Sequence, residues 1–139
     1  MVCDNIPHTF TVIKTQYGKT LAGYTPLTWN AVPSGHHAED TTETSCILSF
    51  DLLLKLRLVK PEYAIYCYTG FGPRFGGGAD IHISDECDEN TNSYISCPST
   101  YKCEELKHKT KENTRLLCGG SLGTNNFKVS EYEVFRVIW

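Results

Sequence analysis

Glycine, proline and asparagine interrupt this chain at short intervals, and this punctuation restricts its fold more than any other feature. Eleven glycines and six prolines are spread over 139 residues. The intervals between them are short and rich in β-branched and aromatic residues, which favours strands. Strands are predicted at residues 9–15, 19–25, 45–50, 62–68 and 79–84, and as one long or two short strands at 127–139. We therefore expect a mostly β (α+β) fold, a sandwich of two antiparallel sheets with a few short helices.

The segments between these strands are polar or rich in glycine. Residues 16–18 predict a turn that makes the first two strands a hairpin, and residues 29–44, 70–78 and 85–92 predict loops. Residues 52–59 alternate like a strand but carry enough leucine for a helical turn, so both interpretations stay open. Residues 100–113 have helical chemistry, with Glu105 and Lys109 at i,i+4, and predict a short surface helix or a mobile insertion. The length suits a single domain over residues 1–139.

Charge and cysteine content narrow the class of protein. The formal net charge of −3 weighs against a nucleic-acid partner, because phosphate binding requires a clustered excess of Lys and Arg. The basic residues between 102 and 111 are interleaved with glutamates and indicate a solvated face. No apolar run approaches the ~18 residues of a membrane span. Seven unevenly spaced cysteines and an N-terminus unlike a signal peptide predict reduced thiols in a cytoplasmic protein.

One short stretch imitates a catalytic motif. Residues 119–123 fit G-x-S-x-G, the nucleophile elbow of esterases, with Ser121 in the place of the nucleophile. An elbow requires a helix after the serine, but here a strand-like run follows. All five histidines precede Ser121, whereas an α/β-hydrolase places its histidine later in the chain. We therefore expect a glycine turn before the closing strands and no catalytic residue.

Neither a metal nor a cofactor is expected. The glycine cluster at 70–80 lacks the Gly-Lys-Ser/Thr ending of a phosphate loop, so it predicts a turn with positive φ, although Arg74 on its tip could hold an anion. Residues 85–93 lack the glycine and the bidentate glutamate of a calcium loop. A zinc site would require paired cysteines at short spacing, and the sequence contains no C-x-x-C.

The cysteines offer an alternative function. Cys46 and Cys67 lie in apolar strand-like runs and are predicted to be inert core residues. Cys87, Cys97 and Cys103 lie in polar segments and are better candidates for oxidation. A thiol-based antioxidant or redox sensor is therefore the alternative hypothesis, although position in a loop does not by itself lower the pKa of a thiol.

The order of several landmarks resembles the TLDc domain family, which occurs in oxidation-resistance proteins, nuclear-receptor-coactivator relatives and many protist proteins. The resemblance runs through "CDN" (3–5), "TVIKT" (11–15), "GKTLAGYTPLTWN" (18–30), "CILSFDL" (46–52), the long glycine-rich run at 64–94 and "LCGGSLGTNNFKVSEYEVFRV" (117–137). The positions that match the family signature are Gly23, Tyr24, Trp29, Gly72, Pro73, Gly76, Gly78, Asp80, Gly119, Gly120, Glu131 and Glu133.

Two departures from the family pattern stand out. Family members usually carry a helical segment before the position of Cys3, so we expect a protist version of the domain without that segment. Ala22 replaces the first glycine of the Gly-Gly-Tyr signature. An alanine fits there if φ is negative, so this position is not expected to require a left-handed backbone.

The resemblance implies both a fold and a role. The fold is a β-sandwich of two antiparallel sheets, in agreement with the strand pattern. Members protect against oxidative stress and several bind the vacuolar proton-pumping ATPase (V-ATPase), without a generally accepted catalytic mechanism. The implied function is a non-enzymatic interaction module whose partner is a protein, with subunits of that ATPase as candidates. Exposed loops would present Arg74, Asp85, Glu86 and Glu89 to it.

Overall fold

The computed structural model describes residues 5–106, 116–119 and 126–138, and these form two antiparallel sheets of six strands each. The strands are β1 (Thr9–Thr15), β2 (Thr20–Thr25), β3 (His36–Ala38), β4 (Cys46–Ser49), β5 (Leu54–Leu58), β6 (Ile65–Cys67), β7 (Phe71–Phe75), β8 (Ile81–Ser84), β9 (Ser93–Ile95), β10 (Tyr101–Lys102), β11 (Asn126–Phe127) and β12 (Val129–Arg136). The predicted sandwich of two antiparallel sheets is confirmed.

The first sheet has the strand order β10-β5-β4-β2-β1-β12 and the second has β11-β9-β8-β7-β6-β3. The predicted hairpin is present as β1 and β2, which pair in antiparallel register with Ile13 opposite Leu21. Gly18 has φ +82° in the turn between them, a conformation that glycine adopts at little cost. Strand β12 pairs with the other side of β1 and forms an edge of the first sheet.

The core lies between the sheets, and the ring of Phe75 is near its centre. This ring is fully buried and makes edge-to-face contacts with Trp29 at 5.5 Å and Tyr101 at 6.3 Å between centroids. Gly23 of β2 faces the Phe75 ring. A Cβ added at Gly23 would overlap this ring and would lie 2.9 Å from Cδ2 of Phe75. Trp29 also donates from Nε1 to Thr9 Oγ1 at 2.8 Å, which fixes the segment after β2 against β1.

Two predicted loops contain strands. Residues 29–44 were expected to be a loop, but β3 lies within them, because an edge strand with polar side chains is held by backbone pairing to β6. Residues 70–78 contain β7 before the turn begins. The register of β7 against β8 shifts between Phe71 and Arg74, and this bulge accommodates Pro73, which has no N–H for the ladder.

The prediction of a helix over residues 100–113 is wrong where the structure describes them. Residues 101–102 form β10, and a turn follows at 104–106, while residues 107–113 lie outside the described part. Burial of the Tyr101 ring in the core outweighs the local i,i+4 pairing chemistry. The ambiguous segment at 52–59 forms strand β5, and the segment predicted as a strand at 62–68 begins with a 3₁₀ helix (Pro61–Tyr63) before β6. No helix within the described ranges has the length and apolar character to cross a bilayer.

Candidate functional site

Asp80 is a buried carboxylate that organises the segment from residue 97 to residue 101. Its Oδ1 accepts a hydrogen bond from the backbone N–H of Thr100 at 3.0 Å, and its Oδ2 accepts from Ser99 N at 2.9 Å and Tyr101 N at 3.1 Å. The thiol of Cys97 also donates to Oδ2 at 3.4 Å. Burial raises the pKa of Asp80, and these hydrogen bonds oppose the rise. The role that this geometry supports is structural.

The glycines before Asp80 make room for that arrangement. Gly76 has φ +91°, and an added Cβ would overlap the Asp80 carboxylate, so the predicted positive-φ turn is confirmed there. A Cβ on Gly78 would lie 2.9 Å from Ser99 Oγ. The backbone N–H of Gly77 donates to Thr100 Oγ1 at 2.8 Å. The second half of the glycine-rich run is thus packed against the chain's own polar groups.

A second buried carboxylate, Asp40, was missed by the sequence analysis. It accepts hydrogen bonds from the backbone N–H groups of Thr42, Thr44 and Ser45 at 2.8–3.1 Å. Burial acts to raise the pKa of Asp40, but hydrogen bonds from Thr42 and Ser45 outweigh it and lower that pKa. The signal in the sequence is a carboxylate followed closely by Thr and Ser, the pattern of a side chain that caps its own turn.

The acidic loop, residues 85–89, follows β8 and presents carboxylates to solvent. Asp85, Glu86 and Glu89 are exposed, as expected. Asn90 anchors the loop by two hydrogen bonds. Its Oδ1 accepts a hydrogen bond from Ser84 Oγ at 2.8 Å, and its Nδ2 donates one to the Asp85 carbonyl at 2.9 Å. The side chains of the loop are therefore exposed while its backbone is anchored. Whether these carboxylates bind a partner stays a prediction.

A cleft of about 240 Å³ opens beside the acidic loop, where the edge strand β12 passes the second sheet. Phe71 and Ile83 line it from the second sheet, and Tyr132 lines it from β12. Asp85 and Glu86 lie at the same cleft. Tyr132 is 38% exposed, so the cleft combines an accessible aromatic residue with negative charge.

Arg74 does not lie on a loop tip, and that expectation is wrong. It is a half-buried residue of β7, opposite His82 of β8. Its guanidinium carbon lies 4.9 Å from the ring centroid of Tyr66 and 5.6 Å from that of Phe71. The glycines around it obscured the strand pattern in the sequence. Arg74 thus belongs to the face of the second sheet and not to the same loop as the three acidic residues.

Ring side chains surround Arg74 on the outward face of the second sheet, and we call this set the aromatic band. Its members are His37, Tyr66, Phe71, Arg74, His82 and Tyr94. Successive centroids are 4.8 Å apart for His37 and Tyr66, 5.9 Å for Tyr66 and Phe71, 4.6 Å for Phe71 and His82, and 4.9 Å for His82 and Tyr94. The band crosses five of the six strands of that sheet. The band was not predicted from the sequence.

Two histidines of the band have lowered pKa values. Burial, together with the charge of Arg74, lowers the pKa of His82 to about 4. Burial, followed by the charge of Arg74, also lowers the pKa of His37. Nδ1 of His82 and Nε of Arg74 are buried, and neither has a hydrogen-bond partner among the residues that the structure describes. Packing against rings therefore contributes to positioning His82 and Arg74.

The candidate redox cysteines differ in accessibility. Cys97 lies outside the strands but is fully buried beside Asp80, so its prediction as a better candidate for oxidation is wrong. Cys87 and Cys103 are half-buried. Burial raises the pKa of Cys87, with a further contribution from Asp88, and burial raises the pKa of Cys103. Cys46 and Cys67 are buried core residues, as predicted.

These raised pKa values predict slow thiol chemistry. In a Cys3→Ser background, Cys87 and Cys103 are expected to react with a maleimide about tenfold faster for each pH unit between 6 and 8, because only the thiolate attacks. Mass spectrometry of quenched samples measures the rate at each cysteine, with the urea-unfolded chain as the control. A fast reaction at pH 6 that does not change with pH would revive the redox alternative.

The remaining signature residues have structural or surface positions. Trp29 and Pro73 are buried, and the Tyr24 hydroxyl lies 3.4 Å from His8 Nδ1. Ala22 is buried in β2 and does not have a positive φ, as expected. Gly119 has φ +85°, whereas Gly120 and Ser121 lie outside the described residues. Glu131 and Glu133 are exposed on β12. Among the residues that the structure describes, no three His, Cys, Asp or Glu side chains come together as metal ligands.

One protein family matches nearly the whole chain. The model for the TLDc domain matches residues 2–138. The match includes both sheets, the acidic loop and the aromatic band. A comparison with curated proteins gave no match.

Proposed function

This chain belongs to the TLDc domain family, and from that membership we propose that it is a non-enzymatic interaction module of the cytoplasm that binds subunits of the vacuolar proton-pumping ATPase and regulates the pump. The TLDc domain is consistent with a function related to oxidation resistance. Regulation of the pump would be the route by which this module serves that function. The observation that carries the proposal is a family match over residues 2–138.

The geometry supports an interaction surface at the acidic loop. Asp85, Glu86 and Glu89 are exposed, and the hydrogen bonds of Asn90 hold the backbone that carries them. A rigid loop that presents charge loses little conformational freedom when it binds. The adjacent cleft with Tyr132 adds an accessible aromatic surface of the kind that interfaces favour. Loops on a rigid scaffold are where such modules place their contacts.

A pull-down with matched charge variants tests the proposal. The double variant Glu86→Gln/Glu89→Gln is expected to recover at least about fivefold less ATPase than the wild type, since it removes two charges from the proposed contact. The control is Glu39→Gln/Glu62→Gln, which also removes two exposed charges but at the opposite end of the second sheet, and its recovery should stay close to wild type. Immunoblots for pump subunits, with lysate at low salt, provide the measurement.

Two outcomes would contradict the proposal. If the wild-type chain recovers no ATPase subunit at low salt, binding to the pump is excluded for this module. If both double variants lose recovery equally, the acidic loop is not the contact and only general charge matters. Thermal melting of both variants beforehand shows that each is folded.

A further inference from the structure

The outward face of the second sheet carries rings where a sandwich ordinarily exposes polar side chains. Along β8 the pattern alternates, with Ile81 and Ile83 buried in the core and His82 on the other side. The neighbours of His82 on that side are Tyr94 on β9 and Phe71 on β7. A solvated outer face usually gives an alternation of apolar-in and polar-out residues. The aromatic band departs from that pattern on five strands in succession.

Arg74 is the only arginine or lysine in this band, and its charge is not matched by a carboxylate among the described residues. Its guanidinium lies over the rings of Tyr66 and Phe71. Its charge also acts unfavourably on protonated His37 and His82. A guanidinium supported on ring faces keeps its terminal N–H groups in a fixed plane, which suits bidentate pairing with a carboxylate.

We propose that the aromatic band binds an acidic segment of a protein partner, with a Glu or Asp carboxylate paired to Arg74 and an adjacent apolar side chain packed on Tyr66 and Phe71. This inference rests on the proposed function as an interaction module and identifies the partner's chemistry at a second face. Tyrosine and arginine are among the residue types that most often dominate binding energy at protein interfaces. Arg74 is the one permanently charged side chain of the band. Charge complementarity therefore favours an occupant with a negative charge.

The same observations disfavour a nucleic-acid occupant. Phosphate backbones are bound by several clustered lysines and arginines, and Arg74 stands alone in the band of a chain with net charge −3. A single carboxylate matches a single guanidinium in charge and in planar geometry. The rings beside it would then cover the apolar neighbours of that carboxylate in the partner segment.

A pair of peptides tests the proposal with the full chain. The probes are acetyl-Gly-Leu-Glu-Trp-Gly-amide and the peptide with Gln in place of Glu, titrated into ¹⁵N-labelled protein. The Glu peptide is expected to shift the amide resonances of Tyr66, Arg74 and His82 and to bind about fivefold more tightly or better than the Gln peptide. In Arg74→Gln this preference should vanish. In Arg57→Gln, which changes an exposed arginine of β5 in the other sheet, it should persist.

Several outcomes would overturn the proposal. The first is equal affinity of the wild-type chain for the two peptides. The second is the absence of a saturable shift of its amide resonances at millimolar peptide. The third is a preference for the Glu peptide that is undiminished in Arg74→Gln. Resonances of the band that shift with protein concentration alone would show that a second copy of the chain occupies it instead. If Arg74→Gln does not fold, Arg74→Lys replaces it, and a reduced Glu preference is expected because lysine keeps the charge but lacks the planar fork. If the wild-type chain binds the two peptides equally but still recovers the ATPase, this inference alone is rejected. If the wild-type chain prefers the Glu peptide but recovers no ATPase, only the proposed function is rejected.

Discussion

Asp80→Ala is expected to lower the free energy of unfolding by about 3 kcal/mol or more. Three backbone N–H groups, those of Ser99, Thr100 and Tyr101, would lose their acceptor, and each buried donor left unsatisfied costs about 1–3 kcal/mol. Asp80 is fully buried, so solvent does not readily replace the lost oxygens. Urea denaturation followed by tryptophan fluorescence measures the change, because Trp29 lies in the same core.

The matched control for Asp80→Ala is Asp85→Ala. Asp85 is an exposed aspartate five positions later in the chain, and its removal is expected to change the free energy of unfolding by no more than about 0.5 kcal/mol. If the two variants lose equal stability, the carboxylate of Asp80 does not hold the 97–101 segment. An increased exchange rate of the Tyr101 amide in Asp80→Ala would locate the loss at the hydrogen bonds that Asp80 accepts.

The same residue gives the stability a defined pH dependence. Burial raises the pKa of folded Asp80 above its ordinary value of 3.8. Its contribution to stability is therefore fully present below that value and is lost as pH rises through the raised folded pKa. Asparagine does not titrate, so the cost of Asp80→Asn relative to wild type should be larger near pH 4 than near pH 7. A cost that grows from pH 4 to pH 7 would reverse the assigned direction of the shift.

Strands with a local signal could be predicted from the sequence. The β1–β2 hairpin combines alternation with a glycine turn, and β8 alternates between Ile81, His82 and Ile83. Strand β3 could not be predicted, because its polar residues form a strand only through backbone pairing with β6. Strand β10 was predicted wrongly for a different reason. Local chemistry favoured a helix there, but burial of Tyr101 in the core favours the strand.

The candidate site also has one part that the sequence could predict and one part that it could not. Exposure of the acidic loop follows from a polar run between two strands, so the positions of Asp85, Glu86 and Glu89 were predictable. The aromatic band was not, because its members come from five strands whose neighbours are set by topology and not by sequence distance. His37 and Tyr94 are 57 positions apart in the chain and meet the same band only after the sheet is assembled.

Gly23→Val is expected to destabilise the fold by about 3 kcal/mol, at the upper end of the range for overpacking a core. Its Cβ would overlap the Phe75 ring, which cannot move away because Trp29 and Tyr101 pack against it. Valine has high strand propensity and restricts the unfolded chain, so a purely local account predicts a gain in stability. The sign of the measured change therefore separates contact between the sheets from local propensity.

The double variant Gly23→Val/Phe75→Leu completes this test. Phe75→Leu alone should also destabilise, since it removes part of a fully buried ring from the core. The two changes occupy the same space, so the double variant should be more stable than the sum of the single losses predicts, by about 1 kcal/mol or more. Urea denaturation of the four proteins gives the coupling. Strict additivity would mean that the two sheets do not meet at Gly23 and Phe75, and that the signature glycine is explained by something other than the close approach of this ring.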